Sequence, residues 1–201
     1  MVAPGAKSAA QPPRERILAV ARELFYRRGV HAVGVDAIAE AAGTNKMTLY
    51  RHFASKDELV AECLREQVRE MDTEWEAVAA AHPGDPKGQL LDWLRHIGEW
   101  KARESHRGCA FANAAVELPD EKHPARRVVR EYKALVRQRL LDLCRAAELT
   151  DPEALADEVF LVCEGARVSA QSLGSDEPMR RLPELLEDLL EEHSPARASS
   201  T

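Results

Sequence analysis

The chain has 201 residues, 45% of them hydrophobic, enough for one large domain or for a small and a medium one around a real core. Charged residues reach 31% and aromatics only 5%, and a mix rich in Ala, Leu, Glu and Arg with few β-branched runs argues for an all-α fold and against a barrel or sandwich. No apolar run approaches the roughly 18 residues of a membrane span, and residues 1–13 lack the apolar middle of a secretion signal. The expectation is a soluble, cytoplasmic chain with no membrane partner. The net charge of −6 is unevenly spread. Residues 1–60 hold nine Lys/Arg against six Asp/Glu, so a small basic head precedes an acidic body.

Pro4, Gly5, Pro12 and Pro13 mark residues 1–13 as a disordered leader. From Arg14, Ile17, Leu18, Ala21, Leu24 and Phe25 recur at helical spacing, and Gly29 supplies a left-handed stop. A short helix from Val35 to Ala42 ends at Gly43, and another follows from about Asn45 to His52, burying Leu49 and Phe53. Ser55 and Glu58 have the spacing of a reciprocal capping box that launches a long helix to about Ala81. Asp85 and Pro86 then cap a helix carrying Leu90, Trp93, Leu94, Ile97 and Trp100. Beyond Arg107-Gly108 the residues from Cys109 to Leu118 read as a short apolar helix, followed by a helix from about Pro124 to Ala147. Thr150 and Glu153 have the spacing of a second capping box, before a helix reaching Leu173. A last amphipathic helix is expected over Leu182 to Glu192, with Pro183 in its first turn, and residues 194–201 form a flexible tail. The total is about nine helices and no strand.

The informative stretch is Val35 to Phe53. Two helices crossing near a right angle need a small residue at their contact, here Ala39, and a residue tolerant of positive φ in the turn, here Gly43. Ile38, Ala42 and Leu49 fill the corner. The second helix then presents Thr44, Asn45, Lys46, Thr48 and Arg51, short polar groups beside cations, suited to base edges and phosphates.

On Ile17-Leu18, Ala21, Leu24-Phe25, Gly29, Ile38-Ala39, Ala42-Gly43, Thr48 to Phe53, Ser55-Lys56 and Leu59, the chain resembles the TetR family of transcriptional regulators. The resemblance implies an N-terminal helix-turn-helix head (14–60) on a larger helical ligand-binding and dimerisation body (61–193). It implies a homodimeric one-component regulator, a repressor on a palindromic double-stranded operator, released by an unidentified small molecule. Lys46, Met47 and Thr48 match positions near bases, and Tyr50, His52 and Lys56 match positions that hold phosphates. Three positions depart from the pattern. Val33 and Gly34 replace the usual hydroxyl residues before the second helix, Met47 replaces a small residue, and Asp36 is acidic where some relatives place a basic base-reader.

In the body, the resemblance assigns the dimer interface to the last two long helices. The residues permit this independently: Gly165, Ala166, Ser169 and Ala170 form a small-residue stripe, and Leu185, Leu186, Leu189 and Leu190 an apolar ridge. Trp93, Trp100, Phe111 and Tyr132 read as core on their own, but His96, Asn113 and Glu117 interleaved among them mark a ligand pocket, which also takes in Cys109. Cys109 follows Gly108 in a Gly-Cys motif of some TetR subgroups, so an alternative is a thiol-based sensor of oxidants or electrophiles using Cys109. A helical interaction module without DNA binding is the remaining alternative. No C-x-x-C, H-E-x-x-H, Walker or nucleophile-elbow pattern occurs, so no metal ligand, cofactor or catalytic residue is expected.

Overall fold

The computed structural model describes residues 11–100 and 107–195, the side chains of 98–100 excepted. Nine helices and no strand occur among the described residues: α1 Pro13–Arg28, α2 Val35–Ala41, α3 Lys46–His52, α4 Lys56–Ala81, α5 Pro86–Trp100, α6 Ala110–Glu117, α7 Pro124–Ala146, α8 Pro152–Leu173 and α9 Glu177–Glu192. The expected all-α class is what the chain adopts. Two compact units form, Met1–Val68 with Ala110–Arg130, and Arg69–Cys109 with Glu131–Thr201. The divisions fall inside α4 and α7. They also group α6 with the N-terminal helices, a long-range association that periodicity cannot report.

In the first unit, α1, α2 and α3 pack on one another through Ile17, Leu18, Ala21, Ile38, Ala39 and Leu49. α1 starts at Pro13, inside the expected leader; Pro12 is its N-cap, and the chain before residue 11 lies outside the described residues. Gly29 ends the helix at φ +85, where its amide bonds the Phe25 carbonyl. The first capping box forms by half. Ser55 Oγ accepts from the Glu58 amide at 3.0 Å, but the Glu58 carboxylate turns to Arg65 Nη1 at 2.7 Å, because a charged partner outweighs a backbone donor.

In the second unit, α5 and α8 both pack against α9. Leu90, Leu94, Leu140, Leu155, Leu182, Leu186 and Leu190 are among its fully buried side chains. The α5 cap is as expected, Asp85 Oδ1 accepting from the Gly88 amide at 2.9 Å. Two expectations fail. The Thr150 hydroxyl and amide both bond the His193 carbonyl, and Glu153 pairs with Arg145, so the second capping box does not form; Asp151 is the N-cap, in a left-handed conformation. The last helix begins five residues early, at Glu177, with Pro178 in its first turn and Pro183 inside it. Pro183 forfeits one backbone bond there, which the burial of Met179, Leu182, Leu186 and Leu190 along one face offsets. Of the expected flexible tail, Ser194 is tied to the Leu190 carbonyl through its hydroxyl at 2.9 Å, and residues 196–201 lie outside the described residues.

Candidate nucleic-acid interface

The α2–α3 corner is closed by its own backbone. The amides of Ala42, Gly43 and Thr44 bond the carbonyls of Ile38, Glu40 and Ala39 at 2.9, 3.0 and 2.9 Å. Gly43 adopts φ +62 with open space where a Cβ would stand, so the glycine serves conformation there, not clearance. Gly34 caps α2 with no side-chain bond, as expected from the missing hydroxyl. Leu49, fully buried, anchors α3 to α1 and α2 and thereby fixes which residues of this two-turn helix face outward.

Those outward residues are Lys46, Met47, Tyr50 and Arg51, all exposed; Met47, though a large apolar side chain, is 83% exposed. An apolar side chain that projects freely from a head otherwise well packed suits contact with a thymine methyl. Thr44 and Thr48 are half-buried beside them. Asn45 has a second duty: its Oδ1 accepts from the Thr48 amide at 2.9 Å, the N-cap of α3. The cap leaves the Asn45 side-chain NH2 as its remaining donor. Lys46 Nζ stands 3.3 Å from Asp36 Oδ2, with both side chains more than half exposed, so this pair holds the ammonium only weakly. The acidic departure at Asp36 therefore meets α3 directly. His52 is turned differently from the others. Its Nε2 is buried without a hydrogen-bond partner among the described residues, so the ring does not present that nitrogen to a phosphate. Lys56 is half-buried at the first position of α4, next to the Ser55 cap.

The residues expected to line a ligand pocket divide between the units. Phe111 and Asn113 belong to the first unit; Trp93, His96, Cys109 and Tyr132 belong to the second, and Trp100's side chain lies outside those described. Glu117, also read as a pocket residue, is a clamp within the first unit. Its Oε2 accepts from the Val30 amide at 2.5 Å, and its backbone carbonyl meets His31 Nε2 at 2.7 Å. In the second unit, Trp93 meets Trp75 edge-on at 4.4 Å and stacks on His96 at 5.9 Å, and His96 Nε2 bonds Glu74 Oε2 at 2.9 Å. Burial pushes the Tyr132 hydroxyl up, ahead of the opposing pull of Arg167.

Of the expected dimer residues, Leu186, Leu190 and Ala170 are corrections. They lie in the core of the second unit, with Ala166 and Leu189 packed against it, because α9 needs that face to cover α5 and α8. Gly165, Ser169 and Leu185 remain exposed. The exposed apolar face of α8 was missed: Leu161 (67%), Val168 (55%) and Leu173 (70%), joined on α9 by Leu185 (50%). Leu161, Gly165, Val168 and Ser172 follow one another at i, i+4, i+7 and i+11, one helical stripe. Three thiols are buried and hard to ionise: burial pushes Cys63 up to about 12, and Cys144 and Cys163 up to about 11. Cys109 is half-buried, its sulfur 3.9 Å from Lys133 Nζ.

Residues 17–63 match the family model described as bacterial regulatory proteins, tetR family, and residues 87–186 match a tetracyclin repressor-like C-terminal domain. The chain is 30% identical to SCO4454, a TetR-family transcriptional regulator from Streptomyces coelicolor, with a TM-score of 0.83 over 90% of this chain and 96% of that one. It is 32% identical to a putative tetr-transcriptional regulator from Streptomyces avermitilis, with a TM-score of 0.75 over 91% and 98%. Among curated relatives, it is 35% identical over 104 residues to the HTH-type transcriptional regulator AcrR of Shigella flexneri, covering 50% of this chain and 47% of that protein. It is 47% identical over 55 residues to the transcriptional activator FasR of Mycolicibacterium smegmatis, 27% of this chain and 25% of that protein. The chain thus spans half or less of the length of these two curated relatives.

Proposed function

The chain belongs to the tetR family of bacterial regulatory proteins, and we propose that it acts as a homodimeric repressor that binds a palindromic operator and leaves it when a small molecule occupies the second unit. The observation that carries this reading is the α3 surface. Lys46, Met47, Tyr50 and Arg51 project from a helix locked by Leu49, with no packing role that explains their exposure. In this role Lys46, Met47 and Thr48 read base edges, the Asn45 and Thr44 groups support them, and Tyr50, Arg51 and Lys56 hold phosphates. His52 contributes shape within the head, and any phosphate contact falls to its other ring nitrogen.

The dimer forms through the exposed stripe of Leu161, Gly165 and Val168 on α8 with Leu185 on α9. Two copies of α3 then enter successive major grooves about 34 Å apart. Effector binding favours a geometry in which both cannot dock. Moving the population from mostly bound to mostly free requires about a 10⁴-fold preference of the effector for that geometry. α4, whose residues are divided between the two units, is the covalent connection along which the change passes.

In vitro selection of duplexes from a random pool tests the reading. A two-fold symmetric consensus is expected, with Lys46→Ala and Thr48→Ala losing preference for it. Leu161→Glu with Val168→Glu should yield monomers that no longer bind the consensus. Recovery of no preferred sequence, or full binding by the charged double variant as a monomer, rejects the proposal. A second reading, thiol sensing by Cys109, is favoured by the ammonium of Lys133 beside its sulfur. There, Cys109→Ser keeps operator binding and loses release by an alkylating electrophile.

A further inference from the structure

Asp36, in the first turn of α2, and Lys46, at the first position of α3, stand ten residues apart in the chain and meet as an ion pair at 3.3 Å. Their side chains are 76% and 52% exposed, and neither makes another polar contact among the described residues. A pair this open to water adds little to folding. The acid also has a local use. The Gly34 cap of α2 makes no side-chain bond, and a carboxylate in the first turn complements the free amides there. That use requires no contact with α3.

The bond to Lys46 brings the Asp36 carboxylate to the surface from which Lys46, Met47 and Tyr50 project. A carboxylate carried to a polyanion is repelled unless it meets a donor. In the major groove the base edges offer two such donors, the amino groups at cytosine N4 and adenine N6. Adenine N6 lies between two acceptors, its own N7 and thymine O4, whereas cytosine N4 has an acceptor on one side only, guanine O6. Within a G·C pair, N4 and O6 are joined by a hydrogen bond of about 2.9 Å, and guanine N7 lies beyond O6. A carboxylate and an ammonium 3.3 Å apart complement that edge: the carboxylate faces N4 while the ammonium faces O6 and N7. On an A·T pair the same two groups meet a repelling N7 and a thymine methyl.

We propose that Asp36 and Lys46 act as one unit that reads a single G·C pair in each half-site, which makes Asp36 a specificity-determining residue of the operator contact. Asp36 accepts from cytosine N4, and Lys46 donates to guanine O6 and N7. The proposal rests on the operator-binding reading above, and its test separates the two.

The test is in vitro selection from a random duplex pool, run in parallel on full-length wild type, Asp36→Asn and Asp36→Ala. The wild type is expected to fix one G·C pair in each half-site. Asp36→Asn should move that position to A·T and leave the others unchanged, because a side-chain amide bonds both N6 and N7 of adenine. Asp36→Ala should relax the position without a new preference. In competition binding, the wild type should favour its own pair over A·T by about 5- to 150-fold, and Asp36→Asn should reverse the order. Asp36→Ala should also bind random-sequence duplex more tightly and with a steeper salt dependence, since Lys46 is then free for a phosphate. A wild-type consensus without such a pair, one consensus shared by all three proteins, or a loss of affinity spread equally over all sequences each overturns the proposal while operator binding stands. A wild type that selects no sequence overturns both readings.

Discussion

Replacing Gly29 with alanine, alone and together with Glu117→Ala, examines how α6 is fastened to the first unit. Gly29 has φ +85 and ψ 156, a region that only glycine enters readily, so any side chain there costs about 1–3 kcal/mol. A Cβ would also stand 2.9 Å from Glu117 Oε2 and 3.1 Å from Oε1. Such contact with the end of a flexible side chain is normally relieved by moving it. Here the carboxylate is committed to the Val30 amide, so relief means giving up a charge-assisted bond worth about 1.5–3 kcal/mol. Gly29→Ala should therefore cost about 2.5–6 kcal/mol in the wild type and only about 1–3 kcal/mol when Glu117 is already alanine. The difference, about 1.5–3 kcal/mol, is a coupling energy read from a double-mutant cycle. Urea unfolding followed by circular dichroism is the assay. With a slope of about 1–3 kcal/mol per molar, the single variant should move the midpoint by roughly 1 M or more. Equal costs in both backgrounds would show that Glu117 is not held against Gly29, and the clamp would have to be abandoned.

Asn45→Ala removes the α3 cap and should destabilise the chain by about 0.5–2 kcal/mol, whereas Asn45→Asp keeps the acceptor and costs less; unfolding midpoints distinguish them. Burial pushes the Glu164 carboxyl up, but Lys133 and Arg167 together outweigh it and hold it below the ordinary range. Its folded value is thus lower than its unfolded one, so the stabilisation is complete above the ordinary carboxylate range and is lost as pH falls through the folded value. Thermal midpoints should drop more steeply on acidification in the wild type than in Glu164→Gln, and parallel curves would contradict this. With the native protein, a thiol reagent at mildly alkaline pH should titrate Cys109 alone, and Cys63, Cys144 and Cys163 only after denaturation. A second fast thiol would place one of the three nearer solvent than its burial allows.

What local chemistry controls was legible in the chain itself. Helix periodicity, the stop at Gly29, the turn at Gly43 and the Asp85 cap depend on neighbours within a few residues, and each stands where the sequence indicates. The outward face of α3 was readable in part: Asn45, Lys46 and Arg51 are exposed as expected, but Thr44 and Thr48 are half-buried, and Met47 and Tyr50 point outward because burying Leu49 in a two-turn helix leaves them nowhere else to go. Capping was only partly readable: Thr150 and Glu58 have the right neighbours, but His193 and Arg65 compete for them more effectively. Which face of a helix a neighbour covers was not readable at all. Leu185 and Leu186 are adjacent leucines, yet α9 buries one in the core and leaves the other half exposed. Val168 and Leu161 look like core residues until α9 is seen to occupy the opposite side of α8. Likewise Glu117, 87 positions from Val30, acquires its role only when α6 folds against the α1–α2 loop. The shared carboxylate of Glu164 depends on α7 and α8 lying side by side, a register that the pattern of either helix alone leaves open. Sequence determined the elements and those ends that local capping and glycine turns fix, since those energies act over one or two turns; tertiary structure decided which faces meet and how far α9 extends, since that is settled by competition among all the apolar surfaces at once.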